Sequence, residues 1–177
     1  GRHLCCPVET LYLTGTTSGT SGVPTFTYTF TKKDLDFLAP RLAHRFKLAG
    51  VGKGDRVMLL LSNCLEFPVA YYGILKAGAI VVPTNPMYKN RELVHHLNDS
   101  GAKAVISGTD CYEELRRIQG ETGLATIVLT GESTPEGAVS FEQLSKEGLP
   151  AEPERDIESM EDIAAIEYTG GTTGLPK

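Results

Sequence analysis

A chain of 177 residues can bury one sizeable core, so a single domain or a large piece of one is expected. Its net charge of −5, with 41% hydrophobic and 22% charged residues, is that of a soluble globular protein and speaks against a nucleic-acid or anionic-membrane surface. The apolar runs Val57 to Leu61 and Ala77 to Val82 are far too short to span a bilayer, and no signal sequence opens the chain, so a cytoplasmic protein without a transmembrane segment is expected.

Cys5, Cys6, Cys64 and Cys111 have no Cys-x-x-Cys spacing and read as ordinary reduced thiols. The chain starts Gly-Arg-His and stops on Lys177, so both ends read as cut and a fragment of a longer protein is expected.

Residues 1–24 show no hydrophobic period and read as a polar tail or linker, with residues 25–177 as the folded unit. Within the first part runs Thr14-Gly15-Thr16-Thr17-Ser18-Gly19-Thr20-Ser21-Gly22-Val23-Pro24, for which a linker, a second loop and a mis-joined reading frame all stay open. Phe26 to Phe30 alternates like a short strand. Thr31 and Asp34 can then cap a helix whose apolar stripe is Leu35, Leu38, Leu42 and Phe46, with a kink or break expected at Pro40. Gly50 to Arg56 is a helix-to-strand turn, the reverse order of a dinucleotide-binding turn.

Alternation continues from there. Val57–Leu61 predicts a strand, and Asn63 with Glu66 can cap the helix that carries Phe67, Ala70, Tyr71, Ile74 and Leu75. Ala79–Val82 predicts the next strand, Asn90 to Gly101 a helix, Lys103–Ser107 a strand, Asp110–Gln119 a helix and Ala125–Leu129 a strand. Residues 130–157 read as acidic loop with a helical turn or two near Phe141 to Lys146, and Ile163–Tyr168 as a last strand. Repeated strand–helix alternation implies an α/β fold with a largely parallel sheet.

The last strand runs into Tyr168-Thr169-Gly170-Gly171-Thr172-Thr173-Gly174-Leu175-Pro176-Lys177. Its three glycines let the backbone aim several N–H groups at one point, its threonines add hydroxyls, and its lysine adds a mobile cation. Such groups suit a polyphosphate. Leu175 and Pro176 stand between the last glycine and the lysine, so the common P-loop formula does not fit.

The stretch instead resembles the phosphate-binding signature of adenylate-forming (AMP-binding) acyl-CoA synthetases, Tyr-Thr-Ser/Gly-Gly-Thr-Thr-Gly-x-Pro-Lys. Gly50-Val51-Gly52-Lys53-Gly54-Asp55-Arg56-Val57, Leu75 to Ala79, Pro83 to Tyr88 and Leu97 to Lys103 follow the same family's order, so the likeness covers residues 26–177. The Pro83 to Lys103 stretch and Gly170 resemble the fatty-acyl members. Ser18 to Thr25 resembles the loop of the phenylacetate branch but lacks its lysine.

The resemblance implies the incomplete N-terminal part of a ligase that turns a carboxylic acid, a fatty acid first, into an acyl-adenylate and passes it to coenzyme A. ATP, Mg2+ and coenzyme A are the implied cofactors and co-substrates, and no nucleic acid is a partner. Thr169, Gly170, Gly171, Thr172, Thr173, Gly174 and Lys177 would line the ATP phosphates, with Thr172 meeting the metal and Lys177 supplying catalytic charge. The fragment alone is expected to be inactive. The alternatives are an aromatic-acid ligase fragment and a nucleotide-binding or interaction module without catalysis.

Several residues outside the loop carry no such role. His95-His96 lacks ligand partners at metal spacing and reads as surface or half-buried. Tyr71-Tyr72 reads as core, and Glu113-Glu114 with Arg116-Arg117 as charge pairing on a helix.

Overall fold

The structure is a computed structural model describing residues 11–18, 24–31, 34–149 and 161–168, with side chains from Asp36 onward. Strands β1 (Leu11–Ser18) and β2 (Pro24–Thr31) pair antiparallel as a two-stranded ribbon. Thr14 to Ser18 of the first Thr/Gly run therefore lie in a strand, which shows no period in sequence because these small polar residues offer no apolar face, and residues 19–23 lie outside the described residues.

A single wide π-type turn, Asp34–Leu38, leads into α1 (Ala39–Leu48). The expected helix is divided next to Pro40, where the π-type turn ends at Leu38 and α1 begins at Ala39. Pro40 sits in the first turn of α1, where its missing N–H would have had no intrahelical partner. The buried stripe is Ala39, Leu42, Ala43 and Phe46.

The remaining elements are β3 (Arg56–Leu60), α2 (Glu66–Lys76), β4 (Ile80–Pro83), α3 (Asn90–Ser100), β5 (Ala104–Gly108), α4 (Tyr112–Ile118), β6 (Thr126–Thr130), β7 (Val139–Ser140) and α5 (Phe141–Glu147). Five strands form one sheet in the order β4-β3-β5-β6-β7, every neighbouring pair parallel. The parallel α/β architecture is as the alternation implies. The chain enters at β3, steps outward to β4, then crosses back to β5, so its direction of travel reverses between β3 and β5.

Alternate residues of each strand serve opposite faces. Val57, Leu59, Val81, Ile106 and Val128 pack with α1, α2 and α5, whereas Met58, Leu60, Val105, Ile127 and Leu129 pack with α3 and α4. The result is three layers with a sheet buried on both sides, and its strands accordingly read as near-continuous apolar runs. Tyr71 packs against the first of these cores, but Tyr72 is exposed, one position round the helix. No side chain caps α2, because Asn63 lies two residues before its cap position, Leu65. At α3 the Glu92 carboxylate accepts the Lys89 N–H at 3.2 Å, half of a capping box.

Arg56 ties the start of the sheet to the end of α3. Its Nε donates to the Ser100 carbonyl at 2.8 Å, one terminal nitrogen to the Gly101 carbonyl at 3.2 Å and the other to the Gly54 carbonyl at 2.8 Å. Gly101 closes the helix at φ +64°, a conformation glycine adopts without steric cost, so its carbonyl faces the guanidinium. Replacing Arg56 with alanine strands the Ser100 and Gly101 carbonyls at the C-terminus of α3. We expect a loss of about 2 kcal/mol, read from urea unfolding, with lysine recovering only part of it.

Candidate functional site

Residues 161–168 return to the sheet beside β4. The Val81 N–H donates to the Ala164 carbonyl at 3.0 Å and the Ile166 N–H to the Val81 carbonyl at 2.9 Å, which makes a parallel bridge between Val81 and Ala165. The segment thus extends the sheet past β4 and runs in the same direction as the other strands. Ala165 packs against the core on the α1/α2 side. Lys53 pairs with Asp162 at 3.2 Å, a surface contact worth little in water.

Tyr168 ends the segment on the opposite, α3, side. Its hydroxyl donates to Asp99 Oδ2 at 2.6 Å, and its ring stacks on His96 with centroids 4.0 Å apart and planes 24° from parallel. His96 is 1% exposed and also meets Tyr88 edge-on at 5.1 Å. Burial and the Asp99 contact push the Tyr168 phenol up to about 12. This phenol stays protonated and serves as a donor.

The expectation that His96 is a surface or half-buried residue is corrected here. It lies one turn beyond Leu93 and next to Leu97 on the buried side of α3, and Tyr168 covers it. Burial, and then the neighbouring His95, hold its pKa below 6.5, with the Asp99 and Glu92 carboxylates opposing. A depressed pKa means that the unfolded chain takes up the proton first as pH falls. Stability should therefore be level above pH 6.5 and decline below it. A His96→Phe variant, which keeps an aromatic ring for stacking, should flatten that decline. Urea midpoints at pH values either side of the transition check this.

The residues singled out from the sequence as phosphate and metal contacts, Thr169, Gly170, Gly171, Thr172, Thr173, Gly174 and Lys177, lie outside the described residues. What the structure defines is the strand that leads to them and the anchor at Tyr168. The anchor was missed from sequence, since Asp99 and Tyr168 are 69 positions apart and neither belongs to a recognisable pair.

A second feature is an open cleft of about 600 Å3 beyond the carboxyl ends of β3, β5 and β6, lined among others by Ser62, Cys64, Glu66, Asp110, Glu132 and Glu142. It lies where the chain's direction of travel reverses, the usual place for a ligand on such a sheet. Its chemistry is quiet. Burial, then the hydrogen bond that the Cys64 thiol donates to the Glu66 carboxylate, pushes the thiol up to about 11, and burial also raises Cys111, so neither thiol supplies a thiolate nucleophile at neutral pH. Among the described residues no three His, Cys, Asp or Glu side chains converge to hold a metal ion. No helix among them is long and apolar enough to cross a membrane.

Known proteins resemble this chain in sequence and in fold. The long-chain-fatty-acid–CoA ligase of Salmonella typhimurium is 38% identical over 153 residues, covering 72% of this chain and 27% of the ligase. The 4-coumarate–CoA ligase 3 of Arabidopsis thaliana is 35% identical over 150 residues, covering 84% of this chain and 26% of that protein. Among solved structures, an anthranilate CoA ligase in complex with anthranoyl-AMP superposes with TM-score 0.78 at 30% identity, over 84% of this chain and 29% of that one. A long-chain-fatty-acid-CoA ligase from Archaeoglobus fulgidus gives 0.76 at 30% identity, over 93% and 32%. The chain thus spans about a quarter of the length of the curated relatives, 27% for the first of them. Residues 17–177, nearly the whole chain, match the family of AMP-binding enzymes, and the chain belongs to that family.

Proposed function

We propose that the intact protein carrying this chain is an ATP-dependent acid–CoA ligase, and that residues 169–177 are its phosphate-binding loop. The carrying observation is the docking of residues 164–166 on Val81, which directs the chain along the sheet with the Gly/Thr/Lys sequence following at once. The parallel direction supports the reading, because ligands of such sheets gather beyond the carboxyl ends of the strands.

A carboxylate attacks the α-phosphorus of ATP, expels pyrophosphate and leaves an acyl-adenylate. The thiol of coenzyme A then displaces AMP. Negative charge grows on the departing pyrophosphate in the first step, so fixed donors and a cation directed there lower that barrier. Gly170, Gly171 and Gly174 supply backbone N–H groups, Thr169, Thr172 and Thr173 hydroxyls, and Lys177 the cation. The donor set also fits magnesium, a hard cation that takes oxygen ligands. Thr172 would offer one hydroxyl and the phosphates the rest, and the ion would neutralise phosphate charge. Residues 25–177 are on this reading the incomplete first part of the ligase, and the chain alone is inactive.

A fatty acid is the leading substrate class, supported by the names of the Salmonella and Archaeoglobus relatives. An aromatic acid is the second reading, supported by the 4-coumarate and anthranilate ligases. Thioester formation by the intact protein, measured with a saturated long-chain acid and with a hydroxycinnamic acid, separates them. A higher kcat/KM for the long-chain acid is the expected result, and preference for the aromatic acid reverses the order.

A further inference from the structure

We propose that Asp99, Tyr168 and His96 form a clamp that positions the phosphate-binding loop, so that ATP affinity is set in part from helix α3. The inference rests on the ligase reading above. Tyr168 is the last residue before Thr169, and two independent contacts hold it. Its hydroxyl donates to Asp99 Oδ2 at 2.6 Å, and its ring lies flat on His96 at 4.0 Å.

These contacts come from residues on successive turns of one helix. Asp99 is one turn beyond His96, so a phenol lying along the helix reaches both. His96 also meets Tyr88 edge-on at 5.1 Å, so three rings in contact link the β4–α3 connection to the residue before Thr169. Among the described residues, backbone pairing of this segment with β4 runs no further than the Ile166 N–H on the Val81 carbonyl. The direction in which the chain leaves the sheet is therefore set by side chains.

Fixing Tyr168 before the nucleotide arrives removes the cost of fixing it on binding, and the nucleotide binds more tightly for it. Without the clamp, part of the binding free energy goes to holding Tyr168. Asp99 and Tyr168 act in this proposal as positioning residues. The step that should suffer is ATP binding, whereas thioester formation from a preformed acyl-adenylate should not.

The test uses the intact protein with Tyr168→Phe, Asp99→Ala and Asp99→Asn. Tyr168→Phe keeps the ring on His96 and loses only the hydroxyl, and Asp99→Asn keeps an acceptor. Loss of one charge-assisted hydrogen bond predicts a rise of about five-fold in the KM for ATP with Tyr168→Phe and with Asp99→Ala. The double variant should be no worse than either single, and Asp99→Asn should stay within about two-fold of the unsubstituted protein. Thermal midpoints measured alongside separate positioning from folding. A lowered midpoint with an unchanged KM for ATP means a structural contact only and overturns the clamp. So do additive losses in the double variant. Absence of any carboxylate-dependent activity in the unsubstituted protein would instead overturn the ligase reading, and the clamp with it.

Discussion

Replacing Lys177 with alanine in the intact protein is expected to slow adenylate formation by about a hundred-fold, the loss typical when one donor aimed at developing charge is removed. The lysine is the only cation in the run from Tyr168 onward. Its ammonium carries no proton to or from the reacting atoms on this reading, so activity should not show a new pH dependence near neutrality. Thioester formation from a supplied acyl-adenylate involves no pyrophosphate and should be nearly unaffected. Arginine, which keeps the charge but spreads it over a planar fork, should recover only part of the first step. Stopped-flow or quenched measurements of the two half-reactions check the separation, and equal losses in both would contradict the assigned role.

The second large effect is expected at Ile166. Its N–H donates to the Val81 carbonyl at 2.9 Å, one of the two backbone bonds that hold residues 164–166 on β4. Proline removes that donor and leaves the carbonyl of a buried strand unpaired, at a cost of about 1–3 kcal/mol. The restriction that proline places on Ala165 is toward extended backbone, which a strand already has, so the damage stays local. The core layers on both sides of the sheet do not depend on this bond. We expect the Ile166→Pro protein to fold, with a KM for ATP raised about ten-fold or more, whereas Ile166→Val keeps the N–H and stays near the unsubstituted value. A proline variant that binds ATP normally would show that the edge segment does not position the loop.

Much of the architecture is legible from sequence because the sheet is buried on both faces. Its strands are short apolar runs bounded by Gly54, Gly78, Gly101 and Pro83, and no other element type fits such runs at that length. Strand order is not legible. β3 meets β5 rather than β4 alone because α2 and α3 pack on opposite faces, and that choice is made by packing.

Pro40 marks where α1 begins, and the periodic stripe ran through it because Leu38 in the preceding turn packs against the same core. Strand β7 was missed for a simpler reason. It has two residues, Val139 and Ser140, too few for any period.

For the site, the motif was legible and its support was not. A Gly/Thr/Lys run announces phosphate chemistry through residue types alone. Asp99 and His96 sit in an ordinary amphipathic helix, and nothing in their spacing says that a tyrosine 69 positions later will lie across them.

The central claim is that the chain carries the ATP-phosphate half of an acid-activating site. Carboxylate-dependent exchange of labelled pyrophosphate into ATP by the intact protein tests it most directly. Exchange that requires a carboxylic acid and magnesium, and that falls about a hundred-fold with Lys177→Ala, is the predicted result. Exchange that persists undiminished in the Lys177→Ala protein, or none with any fatty or aromatic acid, would contradict it.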